Sequence, residues 1–483
     1  MSGGVVVVGS GPNGLAAAVT LARAGVPVTV LEEQETAGGG ARTLDLGLAP
    51  GVVHDICSAV HPMAAASPFF RELDLGALGV ELLTPEVSYA QPLPGGRAGI
   101  AYRSLPATTA GLGADGPAWE SLLGVLARRW DRLAELGLGD LHRVPGQVRP
   151  SDLPLLTRLA VGVLEQGTPA WGARFRGDVA PALLSGVATH AIAPLPSVPA
   201  AAVALVLAAL AHSPGGWAVP RGGSGALANA LVRDLENHGG TLVTGHPVRT
   251  RSDLPPARVY VFATAPGVVA RVLGDELPAG ARRRLAGFRH GNAAAKVDFV
   301  LSGPVPWTVP DVGRAGTVHV GGTRAEAAAA EREVAAGRHA ERPVCLVSDP
   351  AVSDPGREVG GLRPLWSYAH VPAGSDLDVT EAVTRQIERF APGFRDVVVA
   401  ARCVPAARMS GHDAALVDGD ILGGALTVPR LVSGPARRWD PYATGAPNVL
   451  LCSSSTPPGP GVHGLGGLYA ARRVLRLLGA DVG

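Results

Sequence analysis

Lysine is nearly missing from this chain: among 42 basic residues only Lys296 is lysine. A GC-rich coding bias accounts for this, given the abundance of alanine and the 65 glycines, so a lysine that survives the bias is singled out. Cysteine occurs four times, at Cys57, Cys345, Cys403 and Cys452, far apart and without a C-x-x-C pair. That excludes a disulfide framework or a zinc site and fits a reducing compartment, the cytoplasm. H-E-x-x-H and G-x-S-x-G are absent, and no His or Cys spacing suits a metal. Basic side chains have no run and are balanced by 41 acidic ones, a net charge of +1, which excludes nucleic acid as a partner. The longest apolar stretch, Val198 to Ala211, has fourteen residues, short of the roughly 18 to 20 that cross a bilayer. No signal peptide is expected either, because the first apolar run, Val5 to Val8, enters a glycine-rich turn at once.

What is present is a chain of 483 residues, 47% hydrophobic, enough for two to three domains around sizeable cores. Val5–Val8, a small-residue helix from Gly14 to Ala24 and a strand from Val26 to Leu31 make a βαβ opening. Helical patterns follow, over Trp119–Leu138 and Pro154–Glu165. Residues Val179 to Pro220 carry no Asp, Glu, Lys or Arg, so this segment is buried or faces lipid or an apolar ligand. Alternation of α and β resumes with Ala226–His238, Thr241–Thr244 and Val259–Ala263. A second excursion has a strand at Ala295–Leu301 and a helix at Arg324–Ala336, and the chain closes with Asn448–Leu451, a Gly/Pro loop and a helix. The expected fold is α/β, α+β overall. A discontinuous Rossmann-type nucleotide domain spans 1–76, 213–276 and 405–483, and a mixed-sheet, substrate-binding domain with a helical apolar insertion spans 77–212 and 277–404.

The strongest motif is Gly9-Ser10-Gly11-Pro12-Asn13-Gly14, directly after a strand and opening a helix, with Glu32 eighteen residues beyond the last glycine. This is a dinucleotide fingerprint in its required setting. Gly9 allows the turn, Gly11 lets backbone approach a pyrophosphate, Gly14 lets helix and strand pack, and the helix N-terminus supplies N–H groups. Glu32 would hold a ribose diol. A second glycine-rich loop, Gly38-Gly39-Gly40-Ala41-Arg42, follows, and Arg42 is placed to pair with a phosphate.

With these residues the chain resembles the flavin amine oxidase and phytoene desaturase superfamily, whose N-terminal signature has this fingerprint, this acid and then a glycine doublet. The implied cofactor is FAD. The segment from Asn448 through Ser453 and Gly461-Val462-His463 to Gly467 looks like that superfamily's second FAD-binding stretch, with backbone N–H groups near Val462 and His463 facing the flavin. His54 to His61, Trp217 to Gly225, Gly316 to Gly322, Ile387 to Phe394 and Gly419 to Gly424 resemble the bacterial branch of phytoene-desaturase-like oxidoreductases, which is similar to the pyridine nucleotide-disulphide oxidoreductase domain-containing protein 2. The sequence departs from that branch at Asp413, Ala415 and Asp418, where such proteins often carry asparagines before a Gly-Gly-Asp.

The resemblance implies that Ser58, Ala59, Val60 and His61 run along the flavin's reactive edge and that Val248 touches the adenine end. Glu33, Ala263 and Thr264 complete the expected FAD set. It also implies a role for Lys296, which like the lysine of flavin amine oxidases precedes a strand, a proline (Pro304) and a tryptophan (Trp307). In that family this lysine reaches flavin N5 through a water. His61, with His463, is the other candidate for orienting substrate or moving a proton, and His370 is also well placed; His190, His212, His290 and His412 read as core or surface histidines. The expected activity is FAD-dependent removal of a hydride from a hydrophobic polyene, lipid or natural-product-like substrate, a dehydrogenase or desaturase. No second fingerprint exists for NAD(P)H, so the electron acceptor is external: oxygen, a quinone or a redox protein. The uncharged segment suggests that substrate arrives from a membrane surface, by peripheral contact, or through an apolar tunnel. An amine oxidase ranks second, since the 21 aromatic residues include no Tyr or Trp pair near Gly459–Gly467. A saturase or isomerase using the same FAD, and a low-turnover flavin-binding assembly protein, complete the alternatives.

Overall fold

The computed structural model describes residues 3–479. Val5–Val8 is the middle strand of a parallel five-stranded sheet in the order Val449–Leu451, Val259–Phe262, Val5–Val8, Val28–Leu31, Thr241–Val243. Val5 and Val7 enter one apolar core and Val6 and Val8 another, on the opposite face. A strand covered on both faces reads as an unbroken apolar run, which is why four valines stand in a row. The helix after the fingerprint is Pro12–Arg23, two residues earlier than the glycine pattern predicts, because proline's fixed φ and missing N–H suit a first turn.

Two glycines set the close packing at this turn. A Cβ on Gly14 would lie 2.0 Å from the Gly9 carbonyl oxygen, and one on Gly467 would lie 1.8 Å from that of Asn13. The second contact is where the C-terminal helix, Leu465–Leu478, crosses Pro12–Arg23. The nucleotide-type sheet is therefore completed by the last strand and the last helix of the described chain.

A seven-stranded mixed sheet has the order Val398–Val404, Ala293–Leu301, Arg363–Val371, Cys345–Ser348, Ala315–Val320, Val87–Leu93, Arg97–Tyr102. Only the pair between Ala315–Val320 and Val87–Leu93 is parallel. Helices Gly116–Arg128, Trp130–Gly137, Leu153–Gln166, Val179–Ala188 and Val198–Leu210 pack together, sharing one apolar core with Tyr89 and Ala101 of this sheet. The single helix expected over Trp119–Leu138 is broken at Arg129 (φ −116°, ψ 35°). The break lets Arg129 and Arg132 converge on the fully buried Asp152, a pairing that no periodicity announces. The charge-free segment becomes two largely buried helices, Val179–Ala188 and Val198–Leu210, joined by a proline-rich loop. Among the described residues no helix is long and apolar enough to cross a membrane.

Candidate active site

The fingerprint turn is organised around one carboxylate. Glu32 Oε2 accepts the Ser10 backbone N–H at 2.8 Å and the Ser10 hydroxyl at 2.6 Å, while Oε1 accepts the Gln34 N–H at 2.9 Å. A carboxylate has about four lone-pair sites, so Glu32 keeps capacity for a further donor such as a ribose hydroxyl. Glu32 is buried yet lines a cavity of about 520 Å³ that starts at this turn. The N-terminus of helix Pro12–Arg23 opens into the same cavity through Gly11, Pro12 and Asn13. A Cβ on Gly11 would meet no protein atom within 4 Å, and Asn13 Oδ1 is buried without a partner. Free N–H groups and a positive dipole end suit an anionic diphosphate here.

Every residue of the expected FAD set lines the cavity except Ser10, Arg42 and His463. Ser10 stands behind Glu32. Arg42 turns away, donating to the Gly39 carbonyl at 2.9 Å, to Thr36 Oγ1 at 3.2 Å and to the His412 carbonyl, so its guanidinium clamps the second glycine loop from behind. In this geometry it does not face a phosphate. His463 is enclosed by its own loop: Nδ1 accepts the Leu465 N–H at 3.0 Å and Nε2 donates to the Gly459 carbonyl at 3.1 Å. Both ring nitrogens are consumed, and burial pushes its pKa down to about 4.

Lys296 does not reach the cavity wall. It is 2% exposed, paired with Asp298, and its ammonium lies 5.3 Å from the ring centroid of Trp366, which does line the cavity. Residues two apart on a strand share a face, which places Lys296 and Asp298 side by side opposite Tyr368 and Trp366 on the neighbouring strand. His61 lies at the cavity. Its Nε2 is 2.7 Å from Ser224 Oγ, whose own proton goes to the Ser58 carbonyl at 2.5 Å. Ser224 therefore accepts from His61 Nε2–H, leaving Nδ1 as the unprotonated nitrogen. Burial lowers the His61 pKa to about 4, so the ring is neutral near pH 7. His370 is sealed against Glu331, hydrogen-bonded through Nδ1, and does not line the cavity.

Several further residues line the cavity without a local sequence signal that places them there. His190 and His412 reach the cavity, against the expectation that they serve core or surface roles. Trp217, Trp366 and Tyr368 also line it, so the scarcity of aromatic residues in the chain does not extend to this wall. Trp366 and Tyr368 alternate on one strand and meet edge to face, 5.1 Å between centroids. Period-2 spacing was the available signal, but only the sheet order shows which face they occupy. Asp413, noted in the sequence only as a departure, lies under the second glycine loop, where a Cβ on Gly39 would sit 3.1 Å from its Oδ2 and 2.9 Å from Gly11 Cα. Loss of solvation raises its pKa.

The profile of the family described as "Flavin containing amine oxidoreductase" matches residues 13–475. The chain belongs to that family. Its cofactor is FAD, and the helix N-terminus, the open Gly11 and the remaining lone pairs of Glu32 fit that group. An uncharacterized protein of Mycobacterium tuberculosis (strain ATCC 25618 / H37Rv) is 28% identical, over 98% of this chain and 97% of its own length. The pyridine nucleotide-disulfide oxidoreductase domain-containing protein 2 of Rattus norvegicus is 23% identical over 98% of this chain and 93% of its own. Among solved structures, a triple mutant of putrescine oxidase shares the fold with a TM-score of 0.58, at 18% identity and covering 99% of both chains.

Proposed function

We propose that this oxidoreductase removes a hydride from a hydrophobic, uncharged substrate, in the manner of a dehydrogenase or desaturase, and passes the electrons to an external acceptor. The wall of the cavity's far end carries this reading. Helix Val198–Leu210 presents Pro199, Ala202, Val203, Val206 and Leu207 there, with Leu346 and Leu426 from other elements. The charged side chains among the described lining residues, Glu32, Glu33, Arg271 and Asp413, belong to the nucleotide end. An ammonium or carboxylate at the far end would lose its hydration without gaining a counter-ion.

FAD, when bound, supplies the two-electron sink. The chain's own residues hold an apolar molecule, orient one C–H bond and exclude water, effects worth several kcal/mol of barrier when alignment is good. His61, its Nε2–H held by Ser224 and its Nδ1 unprotonated, would take the proton that leaves when a double bond forms. Loading the protein with FAD and mixing it without air with apolar alkenes, alcohols and amines tests the reading. Bleaching of the flavin by an uncharged apolar compound, slowed in His61→Gln, supports it. Bleaching by amines alone would sink it.

An amine oxidase is the second reading. It is favoured by Trp217, Trp366 and Tyr368 at the cavity, an aromatic wall that would orient a neutral amine, and by the likeness to putrescine oxidase.

A further inference from the structure

Within the apolar far end of the cavity one polar side chain stands out. His190 follows helix Val179–Ala188 on a short turn, Thr189–Ala191, and lines the cavity edge-on to Trp217, 5.4 Å between centroids and 90° between planes. Its Nε2 points inward and lies 2.9 Å from Nε2 of His319. His319 is wholly buried on strand Ala315–Val320, and its Nδ1 has no partner. His190 Nδ1 makes no hydrogen bond among the described residues, and it is not among the sealed, unpartnered atoms.

Two facing Nε2 atoms at hydrogen-bond distance share one proton, which fixes the other two nitrogens. If His190 held that proton, His319 Nδ1 would carry an N–H buried without an acceptor. If His319 holds it, the buried orphan is a bare lone pair and His190 carries its own proton on Nδ1. An unpaired buried donor is the costlier defect, so the second arrangement is favoured. Burial lowers the pKa of both rings, His190 to about 3, which keeps the pair neutral.

The backbone holds this ring in place at a cost. Ile192, two residues on, has φ 44°, a conformation rare for a β-branched residue. Such strain persists only where neighbours enforce it. Here the Ile192 N–H donates to the Thr189 carbonyl at 2.9 Å, and Asn292 Nδ2 donates to the Ile192 carbonyl at 3.1 Å.

We infer that His190 is the polar anchor of the substrate end, donating its Nδ1–H to a carbonyl or hydroxyl oxygen on an otherwise apolar substrate. The inference rests on the far end of the cavity being the substrate end. A ligand with an acceptor oxygen binds there in preference to the bare hydrocarbon and to an ammonium, which has no acceptor to offer the N–H.

The test uses FAD-loaded protein titrated with 2-heptanone, 1-heptene and heptylamine, followed by perturbation of the flavin absorbance. The ketone binds tighter than the alkene by roughly two- to tenfold, the range of one hydrogen bond. His190→Phe abolishes that advantage, the ketone losing more affinity than the alkene, and His190→Gln, which keeps a donor, restores part of it. Should His190→Phe fail to retain FAD, His319→Phe, which frees the His190 tautomer, shrinks the ketone advantage instead. The inference is overturned by a ketone that binds no better than the alkene or not at all, by equal losses for both probes, or by preferred binding of heptylamine. Ketone preference without bleaching by any apolar compound keeps the anchor and sinks the oxidation reading; bleaching without ketone preference does the reverse.

Discussion

Ser10 gives both its backbone N–H and its hydroxyl to a single oxygen of Glu32, and its own hydroxyl oxygen accepts the Gly38 N–H at 3.1 Å. One serine thus ties the fingerprint turn, the ribose acid and the second glycine loop together. Glu32→Ala removes the acceptor of three donors, two from Ser10 and one from Gln34, and a ribose ligand at once. Hydrogen bonds to charged groups are worth about 1.5–3 kcal/mol each, so FAD affinity falls at least about tenfold. Flavin retained per protein after gel filtration measures it, and undiminished retention would contradict the assignment.

Lys296→Met leaves Asp298 as a buried carboxylate without its counter-charge. Breaking one side of such a pair costs about 3–5 kcal/mol, so the melting temperature drops markedly, and adding Asp298→Leu recovers much of the loss. Because Lys296 stops short of the cavity, flavin reduction in the folded, loaded variant stays at the wild-type rate. A strong fall in that rate would restore the direct role that the resemblance to flavin amine oxidases implies.

Stability falls on mild acidification. Buried His61 and His463, each with a pKa lowered to about 4 by desolvation, are neutral in the folded protein and titrate at about 6.5 when unfolded. Above pH 6.5 their contribution is fully present. As pH drops toward 4 the unfolded chain takes up protons that the folded one refuses, and the contribution is lost. Melting temperatures across that window show the slope. His463→Asn, which keeps an acceptor for the Leu465 N–H but does not titrate, flattens it.

Gly467→Ala forces the C-terminal helix away from Pro12–Arg23, because its Cβ has 1.8 Å to the Asn13 carbonyl oxygen. Overpacking typically costs about 1–3 kcal/mol, and more where backbone must move. Both thermal stability and FAD retention fall together, whereas Gly25→Ala, at an open though left-handed turn, spares the cofactor.

Asp413→Asn tightens FAD binding severalfold. It removes a negative charge from beneath the Gly39 loop, next to Gly11 and the helix terminus that suits a diphosphate, while keeping an acceptor for the Ala415 N–H. Equilibrium titration of the apoprotein with FAD measures the gain, and weaker binding would place Asp413 as a ligand of the cofactor.

The nucleotide half was legible because its signals are local. Val5 to Val8, the glycine spacing and Glu32 fall within one βαβ unit, and each residue's role follows from the turn it occupies. The apolar part of the cavity was not, because its wall is assembled from Trp366 and Tyr368 of one sheet, Trp217 from a loop and Val203 and Val206 of a buried helix. Nothing in sequence order brings these together. His463 shows the opposite failure: it sits in a segment that lines the cavity, yet its ring caps its own loop. The absence of charge over Val179 to Pro220 was the one long-range clue to this wall, since Val203 and Val206 of that segment line the cavity.

The burial of Lys296 has a practical consequence. The chain's single lysine side chain is 2% exposed, so the folded surface offers no ε-amine to acetylation, ubiquitin transfer or amine-reactive dyes and cross-linkers. Labelling of Lys296 would instead report unfolding, a chemical probe of integrity that needs no substrate.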